Sequence, residues 1–223
     1  MSGLMPASEA LAGLVSRIGK IGAWLFVPLM LVIMFDVITR KFGFLSDLRE
    51  HFAQSGQTGA VQFMDGYFTS TKFQELEWHL HAALFLLCLG YAYVHNSHVR
   101  IELIREKFSR RTKAWEEVVL CFVFLLPYAG LVLYYGLNFT HRSYAMDEVS
   151  SALTGLGHRW IIKSFVPIGM AILLVAGAAV VLRNLAFLFG DEAEKKRAVR
   201  EARELHDPTE ELIKEVVGEE IAP

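Results

Sequence analysis

The sequence predicts an all-α integral membrane protein with four transmembrane helices. Four apolar stretches take up much of the 223-residue chain. A helix rising about 1.5 Å per residue needs roughly 20 residues to cross a hydrocarbon core of about 30 Å, and each stretch meets or approaches that length. Composition agrees, because 53 % of the residues are hydrophobic and the mean hydropathy is +0.35. We therefore expect a membrane domain over residues 1–190, with helices at about 21–40, 74–95, 116–140 and 160–189.

The first predicted helix, residues 21–40, is interpreted as a permanent span. Arg17 and Lys20 precede it, as the basic segment of a signal peptide would. The sequence Thr39-Arg40-Lys41-Phe42 then follows, where a signal peptide would have small residues for cleavage. The helix is therefore expected to stay in the mature protein.

A long connection, from about residue 41 to 73, joins the first two predicted helices. Leu45, Leu48 and Phe52 recur at helical spacing before the Ser55-Gly56 break. This pattern predicts a short amphipathic helix. Long loops are often functional, and a docking surface and a tolerated insertion both stay open as interpretations of this one.

The second predicted helix opens with the ionisable side chains Glu75, Glu77, His79 and His81. At about 100° per residue, Glu77 and His81 share one face while His79 points elsewhere. We therefore expect the pair to bridge to each other or to a partner subunit, because two histidines on this helix cannot close a metal site. His141 and His158 lie at the same predicted end of the helices, which keeps a metal or haem site open as an alternative.

The link between the second and third predicted helices is basic. It carries Arg100, Arg105, Lys107, Arg110, Arg111 and Lys113. Lysine and arginine accumulate in short cytoplasmic loops, so the link is predicted to face the cytoplasm, together with both termini. Its apolar residues Ile101, Ile104, Phe108 and Trp115 recur at three-, four- and seven-residue steps. That spacing predicts a short in-plane amphipathic helix, with a solvated basic loop as the alternative.

The third and fourth predicted helices carry almost no polar side chain at mid-depth. Secondary carriers usually bind substrate near the midplane with broken helices and buried polar groups, so a self-sufficient carrier is not favoured. Helix four instead has a strip of small residues that predicts close helix packing, in part with a partner. These are Gly169, Ala171, Ala176, Gly177, Ala178 and Ala179. Residues 191–223 are predicted to form a charged cytoplasmic tail.

The chain lacks the sequence signatures of an enzyme. There is no G-x-S-x-G, no H-E-x-x-H, no phosphate-binding glycine loop and no nucleic-acid module. Cys88 and Cys121 both lie deep in apolar stretches, where they are interpreted as small buried apolar residues. We expect no catalytic residue, no cofactor and no metal. A four-helix redox or metal-binding membrane protein is the alternative.

Three strings carry a resemblance to a known family. They are FQELEWHLHAALFLLCLGYAYVHNSHVRIELI, LLPYAGLVLYYG and RWIIKSFVPIGMAILL. Together they resemble the DctQ-type small membrane subunit of tripartite ATP-independent periplasmic (TRAP) transporters, over about residues 40–182 apart from the first connection. The chain departs from the family in that longer connection and at Thr154-Gly155-Leu156-Gly157, where the family more usually has Gly-Gly-Leu-Pro.

The resemblance implies a three-part system in the bacterial inner membrane. A periplasmic substrate-binding protein captures an organic acid, a large membrane subunit moves it with sodium, and the small subunit braces the large one without catalysis. The implied partners are those two proteins and membrane lipids, with no nucleic acid. The matching positions, with His81 beside them, are candidate partner or lipid contacts: Glu75, Glu77, Trp78, His79, His81, His98, Arg100, Arg159, Trp160, Lys163, Pro167 and Gly169.

Overall fold

The computed structural model describes residues 3–97 and 108–206, and within those ranges the chain forms helices and turns but no strand. The first range holds α1 (Leu4–Ala23), α2 (Phe26–Phe42), α3 (Phe44–Gln54), α4 (Thr58–Tyr67) and α5 (Ser70–Val94). The second holds α6 (Arg110–Leu120), a π-helical turn (Cys121–Leu125), α7 (Leu126–Ala145), α8 (Trp160–Phe189) and α9 (Glu192–His206). The prediction of an all-α chain is confirmed for these residues.

Three helical segments are long and apolar enough to cross a membrane. They are Leu4–Phe42, Arg110–Ala145 and Trp160–Phe189. Helix α5 has 25 residues, but ionisable side chains fill its N-terminal half and make it less apolar. The count of four spans is therefore not confirmed, and a crossing by α5 stays a prediction. The predicted in-plane helix falls mostly on residues 98–107, outside the described ranges, while Trp115 lies in α6.

The break between α1 and α2 has a local cause. Pro28 has no backbone N–H, and its ring clashes with a carbonyl four residues earlier, here that of Trp24. At this point backbone hydrogen bonds to the residue three positions earlier replace the regular bonds to the residue four positions earlier. They run from Leu25 N to Gly22 O at 3.0 Å and from Val27 N to Trp24 O at 3.2 Å. Helical structure thus resumes at Phe26 with the proline in its first turn.

The described residues group into two compact units. The hairpin unit comprises Ile21–Leu87 and Val132–Ile168. The tail unit comprises the described residues within Met1–Lys20, Cys88–Leu131 and Gly169–Pro223.

The hairpin unit takes its name from α3 and α4. Gly43 adopts φ +65°, a left-handed conformation that favours glycine, and so ends α2 and starts α3. The Arg49 Nε donates to Asp65 Oδ1 at 2.6 Å and its Nη2 donates to Oδ2 at 2.9 Å, which joins the two hairpin helices. The prediction of an amphipathic helix through Leu45 and Phe52 is confirmed by α3.

The tail unit packs α1 against α8 and α9. Met5, Ala186 and Ala198 form a buried apolar cluster. The hydroxyl of Ser8, only 1 % exposed, donates to the carbonyl of Ala179 at 2.9 Å. Helix α9 is therefore anchored by its apolar side even though most of its residues are charged.

Helix α7 is preceded by a π-helical turn beside a close helix contact. Leu126 N bonds to Cys121 O, one residue farther back than in an α-helix, directly before Pro127. A β-carbon added at Gly177 of α8 would lie 2.9 Å from Leu125 Cδ2 and 3.3 Å from Cys121 Sγ. The small residue at 177 is thus what allows α8 to approach this turn.

Candidate functional site

A buried carboxylate lies within the first candidate span. Asp36 of α2 is 0 % exposed, and an acidic side chain at such a place needs partners. Arg40, one turn later, forms an ion pair with its Oδ2, and the Ser70 hydroxyl donates to its Oδ1 at 3.2 Å. Asp36 therefore joins the end of α2 to the first turn of α5. We did not predict this role, although an acid and an arginine four residues apart in an apolar run were its visible signal.

Glu77, on the same side of this unit, is less well satisfied. Its Oε1 is buried and has no hydrogen-bond partner within residues 3–97 and 108–206, so the expected bond to His81 does not form at this atom. It lies within electrostatic reach of both Asp36 and Arg40. A buried acceptor left unpaired costs about 1–3 kcal/mol, so a donor from outside the chain would be favourable here. A contact with a partner subunit stays a prediction.

Glu75 holds the connection between α7 and α8. Its carboxylate accepts from the Ser150 hydroxyl and from the backbone N–H of Leu156, the latter at 2.6 Å. A β-carbon at Gly155 would lie 2.8 Å from Glu75 Oε1, so only glycine leaves room for this arrangement. The Nδ1 of His79 lies 2.5 Å from the carbonyl of Glu75, one turn earlier on α5.

A second link ties the same connection to α8. Lys163 forms an ion pair with Glu148, and the backbone N–H of Arg159 donates to the Glu148 carbonyl at 3.1 Å. The Lys163 ammonium is the main cause that lowers the pKa of Glu148 below its ordinary value. The ammonium also lies 3.9 Å from the ring centroid of Phe139, a cation–π contact. The Nε of Arg159 is buried and has no hydrogen-bond partner among the described residues.

Aromatic side chains flank this polar network. Trp160 packs edge-on against Tyr144 with ring centroids 5.4 Å apart. Trp78 is 79 % exposed. Both fit the aromatic belt that membrane proteins place at the interface with water.

The other predicted site residues lie apart from the network or outside the described chain. Pro167 is buried in α8, and a β-carbon at Gly136 of α7 would lie 3.4 Å from its Cδ. Gly169 is also buried in α8. His98 and Arg100 fall in the segment outside the described residues. Within the described segments, no group of three His, Cys, Asp or Glu side chains is placed to hold a metal ion.

The arrangement ties helices and a connection together. Glu75 and Lys163 were singled out from the sequence, whereas their partners Ser150, Leu156 and Glu148 were not. Leu156 contributes only its backbone N–H, which every residue except proline has, so its side-chain type could not indicate this role. Glu148 and Ser150 are common surface residues in a loop, so nothing marked them in advance.

Comparison with known proteins gives one match. A family model described as "Tripartite ATP-independent periplasmic transporters, DctQ component" matches residues 29–187, which is more than half of the chain. No curated protein and no solved structure matches the chain. The matched range includes Asp36, Glu75, Glu148 and Lys163, and therefore the whole polar network described above.

Proposed function

The chain belongs to the DctQ family, the small permease component of TRAP transporters, and on that premise we propose that it braces the large membrane subunit during sodium-coupled uptake of an organic acid. A periplasmic binding protein would deliver the solute. The large subunit would hold the sodium and substrate sites. The chain itself would act in the bacterial inner membrane as a non-catalytic partner.

The family match carries this proposal, and the distribution of exposed surface supports it. Only 17 % of the apolar window is buried in Leu4–Phe42 and in Arg110–Ala145, against 56 % in Trp160–Phe189. Two of the three candidate spans therefore present most of their apolar side chains outward. A subunit that contacts both lipid and a large partner needs such a surface.

The links within the hairpin unit support a bracing role. Glu75 and Lys163 each tie the α7–α8 connection to a helix, through Leu156 and Glu148 respectively. A brace must transmit force without deforming, and these bonds hold the connection to α5 and α8. With cytoplasmic termini, as we propose, these links lie at the periplasmic end.

The strip of small residues on α8 has an inner and an outer side. Ala176 and Ala179 are buried at 0 % and 2 % exposure, while Ala171 and Ala178 are exposed. Small outward-facing residues let another helix approach closely in a membrane. We propose that Ala171 and Ala178 lie in the interface with the large subunit.

Reconstitution tests the proposal. Proteoliposomes with the large subunit, this chain and the binding protein should take up the organic acid when a sodium gradient is imposed. A potassium gradient of equal size is the control and should drive none. Uptake by this chain alone would contradict the bracing role, as would undiminished uptake when this chain is omitted.

A further inference from the structure

A pocket of about 430 Å³ lies in the hairpin unit, bounded by the end of α2, the α3–α4 hairpin and the start of α5. Its charged lining residues are Asp36, Arg40, Arg49 and Asp65. We propose that this pocket binds the phosphate group of a membrane phospholipid, with the neighbouring phenylalanine rings in contact with an acyl chain. The proposal goes beyond the bracing function, and the site uses residues of the long first connection.

The two arginines supply the hydrogen-bond donors of the pocket. The Arg40 guanidinium pairs with Asp36 through Nη2, and Arg49 pairs with Asp65 through Nε and Nη2. Each guanidinium carries further N–H groups beyond those it uses in its pair. The fork of such groups matches the oxygens of a phosphate, often with two bonds at once.

The exposed charge of the pocket is biased towards the arginines. The side chain of Arg40 is 49 % exposed, but that of its partner Asp36 is only 1 % exposed. Arg49 and Asp65 are exposed to similar extents, at 51 % and 48 %. A molecule entering the pocket therefore meets two exposed guanidinium groups and one exposed carboxylate, while the carboxylate of Asp36 and the Oε1 atom of Glu77 are buried.

The hydroxyl groups in the pocket do not compete as donors. Ser46 donates to the Gly43 carbonyl at 2.5 Å, and Thr69 donates to the Thr154 carbonyl at 3.3 Å. Ser70 donates to Asp36 at 3.2 Å. Each of these hydroxyl groups is already used as a donor within the chain, so the guanidinium groups remain as the donors available to a ligand.

The pocket lies at the end of a candidate membrane span, and this position indicates the source of the anion. Asp36 and Arg40 lie in the last two turns of α2, which ends a candidate membrane span at Phe42. The Phe42 side chain is 68 % exposed, directly beside these turns. The end of a span is where phospholipid phosphates lie, since the polar headgroup region begins at the edge of the hydrocarbon core.

A row of rings connects the pocket with the apolar surface of α2. Phe68 and Phe73 line the pocket, with ring centroids 6.2 Å apart. Phe73 in turn packs edge-on against Phe35 of α2 at 5.1 Å, and Phe35 is 40 % exposed. An acyl chain attached to a phosphate in the pocket can follow these rings towards the bilayer. A soluble anion would make no use of them.

Native mass spectrometry of the purified full-length protein in detergent tests the proposal. The probe is dimyristoyl phosphatidylglycerol, with inorganic phosphate and dimyristoylglycerol in parallel. We expect one molecule of dimyristoyl phosphatidylglycerol to bind more tightly than any further copies. An equal concentration of inorganic phosphate or of dimyristoylglycerol should not displace it. Arg40→Lys and Arg49→Gln should each weaken this binding about tenfold, because each removes part of a charged fork.

The controls separate a lost ligand contact from a lost fold. Arg40→Lys keeps a positive charge beside buried Asp36, and the double variant Arg49→Gln/Asp65→Asn removes an exposed ion pair whole. Arg142→Gln alters an exposed arginine outside the pocket and should bind the lipid as the unmodified protein does. Undiminished binding by variants of Arg40 and Arg49 that elute normally would overturn the proposal. Equal binding of inorganic phosphate would overturn the lipid source, and equal binding of dimyristoylglycerol would overturn the phosphate contact.

Discussion

The carboxylate of Glu75 on α5 accepts a hydrogen bond from the backbone N–H of Leu156, 81 residues later in the chain, at 2.6 Å. The bond places an anionic acceptor at the connection between α7 and α8, where Ser150 donates to the same side chain. Helix α5 makes few other long-range polar contacts in the hairpin unit, and this bond holds it to the α7–α8 connection.

Replacing Glu75 with glutamine should destabilise the protein by about 1.5–3 kcal/mol, the usual contribution of hydrogen bonds to a charged group. The amide keeps the shape but has no negative charge, and only one of its two terminal atoms can accept. Thermal unfolding in detergent measures the change. Glu50→Gln, at an exposed position of α3, is the matched control and should leave the midpoint unchanged. Equal midpoints for the two variants would contradict the role of Glu75.

Gly155→Ala should lower the stability of the protein by a similar amount, through a steric clash. The new methyl group would collide with the Ser150 side chain and lie 2.8 Å from Glu75 Oε1, so the connection must shift. Such overpacking typically costs about 1–3 kcal/mol. Gly157→Ala serves as the control, because a β-carbon there meets nothing within 4 Å. The same unfolding assay should separate the two variants, and the idea fails if alanine is tolerated equally at both positions.

The ion pair between Glu148 and Lys163 should make stability depend on pH. The pKa of Glu148 is lowered in the folded protein, chiefly by the bond from Lys163. A lowered carboxyl pKa stabilises the fold above the unfolded pKa, roughly 4.3 for glutamate, and this effect is lost as pH falls through the folded pKa. Glu148→Gln should therefore unfold at a lower temperature than the unmodified protein at pH 7. The difference should narrow below roughly pH 4. A difference that stays constant from pH 7 to pH 3 would show that the pair is not its source.

Leucine substitutions on α8 should distinguish packing contacts within this chain from contacts with the proposed partner subunit. Gly177→Leu should destabilise the chain itself, because a β-carbon there already lies 2.9 Å from Leu125. Ala178→Leu, at an exposed position, should leave unfolding unchanged and reduce the amount of co-purified large subunit by about tenfold. Unfolding assays and affinity purification of the co-expressed subunits measure the two effects. Normal co-purification of Ala178→Leu would place the interface elsewhere.

The orientation of the chain can be tested with alkaline phosphatase fusions. This reporter needs disulfide bonds and so is active only in the periplasm. Fusion after Lys113 should be inactive, because we expect that basic segment to be cytoplasmic. Fusion within Ser55–Gly59, which covers the α3–α4 connection and the first two residues of α4, should be active. The opposite pattern would invert the proposed topology.

Features that depend on many residues were predictable from the sequence. The apolar stretches and the family strings led to the all-α class and to the DctQ family, both of which are confirmed. Helix α1 was not predicted, because its buried face is made of separated residues such as Met5, Ser8 and Val15 rather than a continuous apolar run. Ser8 bonds to a carbonyl, and a backbone acceptor cannot be identified from side-chain type. The bond from the backbone N–H of Leu156 to Glu75 could not be predicted either, because it too involves a backbone group.

The contact between Ser8 and Ala179 also has a consequence for biosynthesis. The two residues lie 171 positions apart, and a ribosome adding about 5–20 residues per second needs on the order of 10 to 30 seconds to bridge that interval. Met5, Ala12 and Val15, all buried in the completed fold, have no native neighbours on α8 during this time. Until translation has passed the fourth apolar stretch, this face of α1 therefore lacks the contacts with α8 that bury it in the completed fold.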